Sequence, residues 1–275
     1  MNRKAICSYG RECIKLIILS KINQSLLKRK FSKPLKRFKN IHQGERCFVI
    51  GNGPSLRASD LDRLKDEKSF AANKIFKIFD KTVWRPTYYV TQDGNVYSSI
   101  FDEILDISNA CDCCFMYGNG YRALPKAIRK KDNIYFFNSY TKKNEKGESE
   151  FSDDISVGVN NGFTVTFASL QIAVYMGFKE IYLLGCDNSY ARNADMNGND
   201  KKEANTSDHF YTEAYFETTS DIEHTPQGAP VDFMDGAYKI AKEYGDKHGI
   251  KIYNATRGGA LEVFPRVDFD KIWQR

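Results

Sequence analysis

The sequence predicts an α/β protein: a Rossmann-like, mostly parallel sheet with helices on both faces. Three observations carry the parallel-sheet expectation. Short apolar runs such as Cys47–Ile50 and Ile181–Leu184 alternate with segments of helical spacing. These runs are apolar at every position, as strands covered on both faces must be. Four of the runs end in Gly, Asn, Gln or Asp, where parallel sheets meet their ligands.

The elements follow in chain order. Residues 14–40 read as one or two helices, with Ile14, Ile17, Ile18, Ile22 and Leu26 roughly on one face. Lys15, Lys21, Lys28, Arg29 and Lys30 lie mostly elsewhere. Arg46–Gly51 is the first strand, and Ser59–Leu64 a short helix with Ser59 as N-cap and Asp62 as the far end of a weak capping box. Strands are expected at Ser69–Ala72, Thr87–Thr91, Cys114–Tyr117 and Ile134–Phe137, with a helix at Phe101–Ser108. Thr141–Ser152 is charged and reads as a flexible loop. Thr164–Met176 is a nearly unbroken apolar helix closed by Gly177. A strand at Glu180–Leu184, an Asn/Asp-rich mobile loop over about 191–230, a helix at Asp232–Tyr244 and a strand at Lys251–Asn254 complete the chain. Two parts result: a basic amphipathic helical arm, 1–42, and an α/β domain, 43–275.

Charge divides the same way. Net charge is +6, but residues 1–42 hold twelve Lys/Arg and one acid, leaving 29 Lys/Arg and 34 Asp/Glu elsewhere. A mildly acidic body argues against nucleic acid as a partner. The basic arm suits an anionic membrane surface or a partner subunit, including a second copy of the chain. No run reaches the roughly 20 apolar residues of a membrane span, and no leader with a cleavage site is expected. Seven cysteines, several in apolar runs, fit a reducing, cytoplasmic compartment. Cys111, Cys113 and Cys114 lack the second CxxC or paired His of a zinc site, and no metal site is expected.

The chemistry is expected at the strand ends: Gly51-Asn52-Gly53-Pro54-Ser55, Asn73, Gln92-Asp93, and Gly185-Cys186-Asp187. Gly51 and Gly53 allow φ > 0 and close approach, and Pro54 suits a helix first turn whose N–H groups and Ser55 hydroxyl would face an anion. GxGPS is neither GxGxxG nor the Walker lysine motif, which disfavours dinucleotide redox chemistry. Asn161-Gly162-Phe163-Thr164 opens the apolar helix, with Thr164 as N-cap and the helix start pointing at the same ligand. A transfer onto a hydroxyl needs a base, and His209 and His224 flank a tyrosine-rich stretch. Tyr190, Tyr211 and Tyr215 are the tyrosines placed to bond a departing phosphate. His42 is assigned to the arm and His248 to a solvated turn.

Residues 47–56 (CFVIGNGPSL), Asn73 and 177–187 (GFKEIYLLGCD) resemble the bacterial sialyltransferases of glycosyltransferase family 42. The wider similarity is to MptE-like proteins, whose bacterial members sit among surface-polysaccharide genes and whose ending resembles 254–269. The resemblance implies a variant GT-A-type glycosyltransferase fold, with 43–275 as a nucleotide-sugar-binding catalytic domain, and metal-independent, inverting transfer from a CMP-linked sugar, with no further cofactor, onto a glycan or lipid-linked oligosaccharide. It implies that Asn52, Asn73, Gln92 or Asp93, Thr164, Gly185 and Asp187 bind the nucleotide, and that His209 or His224 is the base. Those sialyltransferases carry an Arg where this chain has Gly162 or Phe163, and two tyrosines where only Tyr190 is near. The alternatives are a diphosphokinase acting on a pterin-like alcohol, and a non-catalytic nucleotide-sugar-binding protein of a glycan assembly complex.

Overall fold

Seven strands form one parallel sheet in the computed structural model, which describes residues 29–122, 124–143, 149–189, 192–194, 200–202, 209–210 and 231–274. They are β1 (Arg46–Ile50), β2 (Ser69–Ala72), β3 (Tyr88–Thr91), β4 (Cys113–Tyr117), β5 (Ile134–Phe137), β6 (Glu180–Leu184) and β7 (Lys251–Asn254). Their spatial order is β7-β6-β1-β2-β3-β4-β5, and every pairing is parallel. The chain runs outward from β1 to β5, then returns to the other side of β1. That reversal opens a crevice beyond the carboxyl ends of β1 and β6.

Alternation within each strand feeds two cores. Cys47, Val49, Ile181 and Leu183 face one layer, and Phe48, Ile50, Tyr182 and Leu184 face the other. The first layer is covered by α1 (Val165–Tyr175) and α2 (Val231–His248). Residues of α1 are buried on nearly every side, which explains its lack of a polar face. The second layer is covered by short helices and by the C-terminal Phe269 and Ile272.

The described end of the basic arm packs onto the body. Residues 29–35 are helical, and Phe31 lies 5.3 Å from the Tyr121 ring centroid. Phe38 packs 4.6 Å from Tyr135, and Leu35 is fully buried. His42, assigned to the arm, is buried, stacked 4.5 Å from Phe178 and bonded to the Tyr88 hydroxyl. Its other nitrogen meets Glu45, so the imidazole helps seal the arm to the sheet.

Other expectations shift for local reasons. The short helix runs Ala58–Asp62, with Arg57 as N-cap and no side-chain cap, so Ser59 does not cap it. Asp62 instead accepts bonds from the Thr82 hydroxyl and the Val83 N–H. The helix expected at Phe101 begins at Ile104, and the one expected to end at Tyr244 runs on to His248. His248 is exposed, as expected, and stacks on Tyr244. The described parts of 141–152 are anchored: Lys142 N–H donates to Asn160 Oδ1 at 2.9 Å, and Lys143 bridges Ser149. Arg192–Ala194 pairs antiparallel with Asp200–Lys202. All five described cysteines are buried free thiols, Cys111, Cys113 and Cys114 among them. No described helix is long and apolar enough to cross a membrane.

Candidate functional site

A cleft of about 550 Å³ lies beyond the carboxyl ends of β1, β2, β3 and β6, facing the start of α1. All four strand ends singled out in the sequence reach it, as do Thr164 and His209.

The β1 turn is built by close approach, not by special dihedrals. Gly51 and Gly53 do not have positive φ, whereas Gly185 does, at 66°. A Cβ on Gly51 would stand 2.3 Å from Gly185 O, and one on Gly53 would stand 1.8 Å from Asp187 Oδ2. Both glycines therefore let the β1 and β6 ends meet, and Gly53 N–H donates to Gly185 O at 2.8 Å. Nor does a helix start at Pro54: Pro54–Ser55 is a turn, and the helix waits until Ala58. The anion-facing helix start expected there is absent. Ser55 is committed instead to Asp187, donating its hydroxyl at 2.8 Å and its N–H at 3.4 Å to Oδ2. Burial pushes the Asp187 carboxyl above its ordinary pKa, and the Ser55 bonds act in the opposite direction.

The helix start that faces the cleft is that of α1. Thr164 is its N-cap, with its hydroxyl accepting from Thr166 N–H at 3.3 Å and lying 3.4 Å from the Tyr238 hydroxyl. The approach to that N-terminus is fixed from beneath by the fully buried Gln171. Its Oε1 accepts from Ser152 N–H and Asn160 N–H, and its amide donates to Asn160 O and Phe167 O. No acidic side chain occupies the first turn of α1, so its partial positive charge is open to the cleft.

Three amide oxygens have buried positions and no hydrogen-bond partner among the described residues: Asn52, Asn73 and Asn188 Oδ1. Two are aimed by their own amide nitrogens. Asn52 Nδ2 donates to Ala72 O at 3.1 Å, and Asn188 Nδ2 donates to Asp235 Oδ1 at 2.7 Å. Asn73 and Asn188 also hold left-handed backbones, with φ of 54° and 53°. An unpaired buried acceptor costs about 1–3 kcal/mol, so such groups point to a ligand that supplies the donors. Strained backbone gathered at one cleft points the same way.

The remaining predicted residues divide. Gln92 is buried and donates to the Ser139 hydroxyl at 2.9 Å, while Asp93 stands exposed at the rim. His209 lines the cleft, and the next residue fixes it there through Phe210 N–H to Asn52 O at 3.0 Å. Tyr190, Tyr211, Tyr215 and His224 lie outside the described residues. The sequence reading missed Asn188, Tyr238 and Tyr117 as cleft residues, and took Phe163 only as part of a helix start. Asn188 was open to discovery as the residue directly after Asp187. Tyr238 was not, because only the packing of α2 against α1 brings it to the cleft.

Comparison with known proteins adds three likenesses of structure and one of family. The family model described as 6-hydroxymethylpterin diphosphokinase MptE-like matches residues 18–193. The chain is similar to the MAf glycosyltransferase of Magnetospirillum magneticum AMB-1, with TM-score 0.52 and 12% identity. That match covers 90% of this chain and 39% of the other, so this chain spans about two fifths of that protein's length, and the likeness is one of fold. The sialyltransferase CstII of Campylobacter jejuni, solved with cytidine-5'-monophosphate, matches at TM-score 0.45 and 15% identity over 82% and 85% of the two chains. The α-2,3-sialyltransferase Cst-I of the same organism matches at TM-score 0.38 and 15% identity over 82% and 81%. No curated protein sequence matches the chain.

Proposed function

The chain belongs to the MptE-like family, and we propose that it is a glycosyltransferase using a nucleotide-activated sugar. The observation that carries the reading is the pair of buried amide oxygens of Asn52 and Asn73, without a hydrogen-bond partner among the described residues, in a cleft of about 550 Å³ that also receives the N-terminus of α1. Ribose hydroxyls and a base amine supply the donors those oxygens lack, and the helix start suits a phosphate.

Charge selects among donors. No Lys or Arg is among the described residues lining the cleft. A kinase-type transfer must balance the charge of a triphosphate with cationic groups. A CMP-linked sugar leaves as a nucleoside monophosphate, which asks least of such a lining, and it is the donor we propose. His209 takes the proton of the acceptor hydroxyl as that oxygen attacks the anomeric carbon. The bond from that carbon to the phosphate oxygen breaks on the opposite side, so the sugar inverts and CMP departs with the electron pair.

The proposed acceptor is a surface glycan, in free or lipid-linked form. The described arm supports an approach to anionic lipid. It exposes Arg29, Lys30, Lys33, Lys36, Arg37 and Lys39 while Phe31, Leu35 and Phe38 are buried in the body. With the apolar side of this segment already used, its attraction to a membrane is electrostatic and falls with salt.

A second reading, a diphosphokinase acting on a pterin-like alcohol, is favoured by the family's description and by the carboxylates Asp93 and Asp187 on the cleft. A screen of CMP- and UDP-sugars for hydrolysis and transfer tests the first reading, with release of CMP or UDP as the expected result. Activity that needs ATP and is abolished by a chelator supports the second. Binding without any turnover makes the protein a nucleotide-sugar carrier.

A further inference from the structure

Phe163 is an unusual residue at the mouth of the cleft. It has a left-handed backbone, φ 61°, which bulky side chains rarely adopt, and the residue is 42% exposed. Its conformation is locked: the N–H donates to Asn161 Oδ1 at 2.9 Å, and Thr164 directly after it caps α1. Phe233, in the first turn of α2, backs the ring at 4.9 Å between centroids, tilted by 33°. The same turn of α2 carries Asp235, which holds the Asn188 amide and leaves Asn188 Oδ1 buried and without a partner among the described residues. One helical turn thus steadies two rim groups, an aromatic face and a hydrogen-bond acceptor, both on strained backbone. The Phe163 residue is nevertheless 42% exposed, and the Asn188 acceptor has no partner among the described residues.

Their position indicates which part of a ligand they meet. Phe163 adjoins the helix start suited to the phosphate, and Asn188 follows Asp187 at the end of β6. Asn52 and Asn73 belong to the neighbouring ends of β1 and β2. We propose that Phe163 and Asn188 form the subsite for the transferred sugar. The Phe163 ring lies against the sugar's C–H face, and Asn188 Oδ1 accepts a hydroxyl or acetamido N–H from it. The assignment rests on the glycosyltransferase reading and adds the two residues that recognise the sugar apart from the nucleotide.

The test compares a nucleotide sugar with its bare nucleotide, using CMP-N-acetylneuraminic acid against CMP and UDP-N-acetylglucosamine against UDP. The full chain should bind one of the two sugar nucleotides at least about tenfold tighter than the matching nucleotide, equivalent to about 1.4 kcal/mol. Phe163→Ala and Asn188→Gly should each erase most of that difference and leave bare-nucleotide affinity unchanged. Glycine suits the left-handed backbone at 188, so that variant keeps the fold. Phe163→Tyr should retain the difference, because it keeps the aromatic face. A sugar nucleotide bound no tighter than its nucleotide overturns the subsite, as does equal weakening of both ligands in Phe163→Ala. A Phe163→Tyr variant as defective as Phe163→Ala also overturns it, since the ring would then act through packing alone. If neither nucleotide binds in any form, the glycosyltransferase reading fails and this assignment fails with it.

Discussion

Two polar regions flank the carboxyl end of β6, and they handle their hydrogen bonds in opposite ways. In the C-terminal brace, 254–270, the polar side chains are richly partnered. Arg257 makes paired bonds to Asp60 at 2.7 and 3.0 Å and to Asp270 at 2.9 and 2.8 Å. Arg266 bonds Gly258 O, Gly259 O and Glu262, and Thr256 Oγ1 accepts from Cys186 N–H. In the neighbouring cleft, Asn52, Asn73 and Asn188 hold acceptors without donors among the described residues. The difference separates two uses of polar groups: the brace holds the 185–188 turn in place, and the cleft presents acceptors that the described residues do not satisfy.

Variants in the two regions should therefore fail in different assays. The largest effect is expected from His209→Ala, which should lower turnover by about 10²–10⁴-fold while nucleotide affinity measured by calorimetry stays the same. Arg257→Ala should cost about 3–5 kcal/mol of stability in a denaturant titration, because Asp60 is left buried and unpaired. Asn73→Gly should do the reverse. Glycine suits the left-handed backbone, and the orphaned acceptor disappears. Stability should hold or rise by up to about 1 kcal/mol, while nucleotide affinity falls about tenfold. If Asn73→Gly instead destabilises as Arg257→Ala does, the division between brace and cleft is wrong.

The smallest effect concerns pH. Asp187 has its folded pKa raised by burial, so the folded state holds that proton more tightly than the unfolded state. The resulting stability is present below the unfolded carboxylate pKa of about 3.9 and is lost as pH rises through the folded value. Asp187→Asn should therefore match the parent at low pH and exceed it slightly above that window, in melts recorded across pH. Parallel curves at all pH values would show that Asp187 is not under that burden.

Much of this was legible in the residues. The apolar runs gave strands buried on both faces because Val49 and Phe48 must each find a core, and they do, on opposite sides of the sheet. Glycine, asparagine and aspartate at four strand ends located the cleft because parallel topology brings carboxyl ends together. The reasons behind particular residues were less legible. Gly51 and Gly53 looked like dihedral glycines, but the β6 end crowds them, a constraint set 132 or more residues later. Ser55 looked like an anion donor, but Asp187 claims it. Phe163 and Tyr238 gained roles only through α2, and no local pattern records where a distant helix packs.

The central proposal is that the cleft holds a nucleotide by amide oxygens that the described residues leave unpaired. Calorimetric titration of CMP into the protein and into Asn52→Ala and Asn73→Gly variants tests it most directly. The account predicts one site per chain, weakened about tenfold or more in each variant with no loss of folded protein. The absence of CMP binding, or binding that both variants leave untouched, would contradict it.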